Sequence, residues 1–237
     1  MSPRPDTTSS AGRRRRPRTP AGRARLTHEL LASEYPDALC ELDHGNAFEL
    51  LVATILSAQC TDARVNLVTP ELFRRWPTAD ALAVASPEEL QEIIRSTGFF
   101  ASKTRSLLGM ADRLVTEFDG EVPGAMADLT SLPGGGRKTA NVVRSVALGL
   151  PGLPVDTHVL RLSHRLGLTD EDDPVKVEFE LNSMVPAAQR GDFSLRLILH
   201  GRRVCGARRP ECGTCVLAWF CPSSTAGGPM GRPDPRS

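Results

Sequence analysis

The stretch Leu132-Pro133-Gly134-Gly135-Gly136-Arg137-Lys138-Thr139-Ala140-Asn141 joins two segments of helical periodicity. Leu129 and Leu132 lie at or before its start, and Val142, Val143 and Val146 follow it. Glycine lets the backbone take positive φ and lets a ligand come close. The stretch therefore predicts two helices joined by a tight hairpin. The first N–H groups of the second helix have no partner within it, and the helix dipole is positive at that end. Together they make an anion site suited to a DNA phosphate. An ordinary helix–turn–helix corner would need nothing more than the glycines. Arg137, Lys138 and Thr139 favour the binding role, because they add two cations and a hydroxyl beside the turn that Gly134 and Gly136 open.

Lys138 is unusual for its type. Of 29 basic residues only Lys103, Lys138 and Lys176 are lysines, and the other 26 are arginines. Arginine stays protonated in a protein and cannot act as an amine nucleophile. Lysine can, where a desolvated or cation-rich site lowers its pKa. From the residues alone, a phosphate contact and a nucleophile stand level. Asp156 follows Pro154-Val155 and precedes a helical run from Thr157 to Leu166, where it suits a helix N-cap. A capping carboxylate can also face a cleft.

Near the C-terminus, Cys205, Cys212, Cys215 and Cys221 form the pattern C-x6-C-x2-C-x5-C within seventeen residues. Four thiolates match the ligand count of a [4Fe–4S] cluster or of a structural zinc site. Zinc modules usually pair two C-x-x-C knuckles, whereas only Cys212–Cys215 is one here. Pro222 follows the last thiol, as in some iron–sulfur runs. The cluster is favoured, with zinc second. Two disulfides carry little weight, since nothing in the chain looks secreted. Cys40 and Cys60 remain as ordinary buried or half-buried thiols.

The hairpin, the string Val155-Asp156-Thr157-His158-Val159 and the four cysteines together resemble the endonuclease III family of DNA glycosylases, the iron–sulfur branch of the helix–hairpin–helix glycosylases. Leu56-Ser57-Ala58-Gln59-Cys60-Thr61-Asp62, Thr97-Gly98-Phe99-Phe100 and Leu199-His200-Gly201-Arg202 extend the resemblance, which runs from about Thr27 to Cys221. It implies a bifunctional glycosylase and AP lyase of base excision repair that removes oxidised pyrimidines and nicks the strand by β-elimination. Lys138 would attack C1′ and form a Schiff base, and Asp156 would stabilise positive charge on the sugar. Gln59 matches the family's polar filler of the vacated space. Phe99 falls at the apolar wedge, although core packing is the plainer role for the Phe99-Phe100 pair. The expected partner is double-stranded DNA with a damaged base or abasic site, bound by a monomer. Two rivals remain: an adenine-type monofunctional glycosylase, and a non-catalytic helix–hairpin–helix iron–sulfur protein that binds DNA. The adenine-type relatives lack the hairpin lysine and usually carry a further C-terminal domain, whereas sixteen residues follow Cys221. Two positions depart from the family pattern. Gly135 replaces a branched apolar residue, which predicts a looser hairpin, and Thr130 replaces an acid, which bears on the lesion pocket.

The net charge of +1 conceals an asymmetry. Residues 1–25 hold eight arginines and one acid, giving +7, and residues 222–237 carry +1, so 26–221 carries +1 − 7 − 1 = −7. A DNA-binding body of that charge must concentrate its cations on one face. Residues 1–25, with the run Arg13-Arg14-Arg15-Arg16, are expected to be a disordered tail with incidental DNA affinity, and 222–237 a second tail. No apolar run reaches membrane-spanning length, and a cytoplasmic, nucleoid-associated location is expected.

The body predicts an all-α fold. Asn46 caps a mostly buried helix through Ala58, and Ser86-Pro87-Glu88-Glu89 opens another. Apolar residues at 107, 108, 111, 114, 115 and 118 make a surface-helix stripe, and Asp173-Pro174 starts a further helix. Pro70 is expected to mark a boundary or kink, and Pro77 a stop. The resemblance further implies two helical domains flanking a DNA-binding cleft. A six-helix barrel would span 40–150, with the helix–hairpin–helix at about 125–149. Residues 26–39 plus 151–221 would form the domain that carries the cluster loop.

Overall fold

The computed structural model describes residues 16–226. Arg13 to Arg15 and most of the two tails lie outside the described residues. Eleven α-helices and two 3₁₀ turns make up the described fold, and no strand occurs among these residues.

The first hydrophobic core is drawn from helices α2 to α8. Helix α2 (Ala47–Leu56) is its axis, buried from Leu50 through Leu56. Asn46 starts it by accepting a hydrogen bond from the Glu49 N–H, and the Glu49 carboxylate reaches back to Gly45 N. Helix α3 (Asp62–Arg75) continues through Pro70, so the proline is not a helix boundary, and the helix ends two residues before Pro77. One missing N–H costs a rung, and buried Val65, Val68, Thr69 and Leu72 on both sides of Pro70 hold the helix in place. Helices α4 (Ala79–Ala83), α5 (Pro87–Ile94) and α6 (Phe100–Phe118) follow, with a 3₁₀ turn, Arg95–Thr97, between the last two. Helix α7 (Met126–Ser131) and helix α8 (Arg137–Val146) form the hairpin pair. Seven helices thus surround this core, one of them the five-residue α4.

The second core joins α1 (Pro20–Glu34) to α9 (Thr157–Arg165), α10 (Pro174–Met184) and α11 (Arg190–Arg203), and to the cysteine loop. Chain order alone does not suggest this union. Ala24, Thr27 and Leu31 of α1 are buried against the C-terminal helices. Helix α1 also corrects the tail boundary. Thr19 caps it through the Gly22 N–H and Pro20 occupies its first turn, so the residues from 20 to 25 are helical. At the other end, Ser224 is buried, so the C-terminal tail begins later than 222.

Candidate active site and thiol loop

Lys138 and Asp156 come from opposite cores and line one open cavity. Lys138 is on the first turn of α8 and is solvent-exposed. Among the described residues, no hydrogen bond or ion pair within 4.0 Å engages its ammonium. Asp156 is the N-cap of α9, where one carboxylate oxygen accepts from both His158 N and Val159 N at 2.8 Å. Its other oxygen is free of that duty, so capping and facing the cleft are compatible.

Three residues of the same cavity were given no role by the sequence. Asp62 starts α3, and its carboxylate accepts from Arg202 of α11 at 3.0 Å. Burial raises the Asp62 pKa, Lys138 opposes the shift and Asp156 adds to it, so the three charges share one field. Arg202 also pairs with Glu41 across the two cores. Cys40 lines the cavity and has its thiol pKa raised by burial. Asp62 and Arg202 stand inside motif strings already quoted, which was their only signal. Cys40 had none.

The hairpin is closed by Gly135 N to Leu132 O at 2.8 Å and Gly136 N to Gly134 O at 3.2 Å. Gly134 has φ +79°. Gly136 is the N-cap of α8 and supplies no side-chain cap, which leaves the first N–H groups open to a ligand. The hairpin is not loosened at Gly135. A Cβ there would lie 2.3 Å from Leu129 O, so the missing side chain lets α7 and the turn pack tightly. Thr139 is buried on α8. Arg137 is engaged elsewhere: it donates twice to the buried Glu178 of α10, at 2.7 and 3.0 Å, and lies over the Phe179 ring. Thr130 bonds carbonyls of its own helix and does not line the cavity, contrary to the expectation that it bears on the pocket.

Gln59 and Phe99 sit at exposed tips. Both have left-handed backbone, φ +55° and +49°, a conformation that costs a non-glycine residue about 1–3 kcal/mol. Phe99 is 66% exposed, whereas Phe100 packs on the first core with Arg95 over its ring.

The four C-terminal cysteines line a second cavity, walled by Leu162, Leu166, Leu217 and Ala218. None of the chain's six cysteines is in a disulfide. Arg165 donates to Cys205 Sγ and to the Gly206 carbonyl, at 3.2 and 2.8 Å. The buried His200 bridges Cys215 Sγ and the Tyr35 hydroxyl, at 3.2 and 3.1 Å. Burial lowers the His200 pKa to about 4, so the ring is neutral at pH 7. Burial also pushes the thiols of Cys215 and Cys221 up, to about 11 and about 12. Among the described residues, no three His, Cys, Asp or Glu side chains converge closely enough for a single metal ion.

Residues 52–187 match the family model described as HhH-GPD superfamily base excision DNA repair protein. Endonuclease III of Synechocystis sp. (strain ATCC 27184 / PCC 6803 / Kazusa) is 54% identical over 198 residues, 83% of this chain and 90% of that one. A solved non-covalent endonuclease III–DNA complex matches with a TM-score of 0.81 at 42% identity, covering 85% of this chain and 94% of the other. A trapped endonuclease III–DNA covalent intermediate also matches with a TM-score of 0.81, at 43% identity, covering 85% and 95%. No helix among the described residues is long and apolar enough to cross a membrane.

Proposed function

This chain belongs to the endonuclease III family of HhH-GPD base excision DNA repair proteins, and we infer from that premise that it is a bifunctional DNA glycosylase and AP lyase acting on double-stranded DNA. Oxidised pyrimidines are the proposed lesions. The carrying observation is the shared cavity: an unengaged lysine from one core faces a half-buried aspartate from the other.

Chemistry at a glycosidic bond requires the nucleotide to leave the stack, at a cost of a few kcal/mol. Gln59 fills the vacated space and Phe99 wedges the step, helped by their exposure on fixed tips. The open N–H groups after Gly136 take a backbone phosphate, with Gly134 and Thr139 shaping the turn. Arg137, its charge paired with Glu178, holds α8 to α10 beside that phosphate site. Lys138 must be neutral to react. Its lone pair attacks C1′ as the bond from C1′ to the base breaks, and the base leaves with a proton. Asp156 stabilises the positive charge that develops on the sugar. The C1′–O4′ bond then breaks and O4′ takes a proton, which opens the sugar ring and leaves an iminium at C1′ that acidifies the C2′ protons. Removal of one expels the 3′ phosphate by β-elimination.

Cys205, Cys212, Cys215 and Cys221 are proposed to hold a [4Fe–4S] cluster. A cube cluster would take one thiolate from each of the four cysteines, and the single C-x-x-C knuckle with Pro222 after the last thiol supports it over zinc. The group would tie the loop to α9 and α11. Its role is structural, and no chemical step passes through it. A cytoplasmic, nucleoid-associated setting follows from the proposed substrate.

Product analysis tests the proposal. A duplex with one thymine glycol should yield free base and a strand cut 3′ to the lesion. Free base with an uncut abasic strand would mark a monofunctional glycosylase.

A further inference from the structure

Lys103 is 5% exposed on α6, one of three lysines in a chain that otherwise uses arginine. Its ammonium donates to two carbonyls, Leu56 O and Thr97 O, each at 2.8 Å. Leu56 ends α2 and Thr97 ends the 3₁₀ turn before α6. Carbonyls at a helix end lack partners within the helix, and a cation there meets the negative end of the dipole. Gln59 lies three residues beyond Leu56, and Phe99 lies two beyond Thr97. Both tips carry the left-handed backbone described above, which persists only where the surroundings hold it. Gly98 between Thr97 and Phe99 also has positive φ, so the anchor of that loop falls on Thr97. A compact ammonium suits two carbonyls converging from separate loops, whereas the planar fork of arginine suits a carboxylate. Burial lowers the Lys103 pKa while the nearby Cys60 raises it, which places the lysine beside the Gln59 loop by a second route.

We propose that Lys103 is a positioning residue for base eversion, tying together the loops that carry Gln59 and Phe99 so that both tips enter the duplex as one unit. The proposal rests on the assignment of those two side chains as filler and wedge. Its consequence is selective. Excision from a paired stack needs both tips in place, whereas strand cleavage at an abasic site has no base to evict.

The test compares two single-turnover rates on matched duplexes: excision of thymine glycol, and β-elimination at a preformed abasic site. A 2-aminopurine placed beside the lesion reports unstacking. Lys103→Met keeps the length and removes the donors. Its excision rate and its fluorescence rise should fall by about tenfold to a hundredfold, the scale of a misplaced positioning group. Its lyase rate should stay within about threefold of wild type. Excision should recover when the lesion sits in an unpaired bubble. Equal losses in both rates, or no loss in either, would overturn the proposal and leave Lys103 a purely structural cation. If Lys103→Met does not fold, Lys103→Arg is measured in the same way, and the ratio of the two rates decides. Gln59→Ala and Phe99→Ala separate the premises. If both excise normally, the filler and wedge assignment fails. If they are impaired and Lys103→Met is not, only the role of Lys103 fails.

Discussion

Asp156 has two duties that one substitution can separate. As N-cap of α9 it satisfies two backbone donors, and asparagine caps about as well. Asp156→Asn should therefore melt within a degree or two of wild type, a change of no more than about 0.5 kcal/mol. Its excision rate should fall by about 10²–10³, because the sugar loses its counter-charge while lesion binding persists. Thermal melts beside single-turnover rates check both parts. Equal excision rates would leave Asp156 a cap and nothing more. Lys138 stood out in the sequence as a lysine among arginines and Asp156 as a cap before a helical run, but only the family resemblance gave them roles. Asp62, Arg202 and Cys40 were not, because their placement depends on α3, α11 and the loop before α2 meeting at one cavity. Gln59 and Phe99 could be named, but not their left-handed backbone. Asn and Asp favour that conformation and Phe does not, so no local signal announced it.

At the scale of elements, caps carried most of the legibility. Asn46, Ser86, Asp156 and Asp173 each start the helix expected of them, because the signal is local chemistry. Pro70 ends no helix because core burial outweighs one missing hydrogen bond. Gly135 misled because a missing side chain can be filled by closer backbone approach. Gly135→Val should destabilise the hairpin, since its Cβ would meet Leu129 O at 2.3 Å. The expected loss is about 1–3 kcal/mol, or about 2–4 °C in Tm for each kcal/mol. DNA affinity should weaken with it, because the open N–H groups of α8 shift. A Gly135→Val variant as stable as wild type would mean that the hairpin is looser than the structure has it.

The chain makes two cores, and α1 crosses to join the second, a union that the family resemblance implied and that nothing in the residues of α1 itself names. The cysteine loop closes that second core beside α9 and α11. Purified protein should be yellow-brown, with iron and sulfide in equal amounts. Removing the metal should lower the melting temperature, because the ligand loop and the core fold together. A colourless protein with one bound zinc would contradict the cluster assignment and leave the DNA chemistry open. The DNA chemistry depends on the cleft, where α8 from the first core and the start of α9 from the second bring Lys138 and Asp156 to one cavity. Borohydride trapping on duplex containing thymine glycol tests that assembly most directly. Wild-type protein should form a covalent complex with the DNA, and Lys138→Arg, which keeps the positive charge, should bind the duplex and form none. Base release by the wild type with no trapped adduct would contradict the Schiff base and return Lys138 to a phosphate contact.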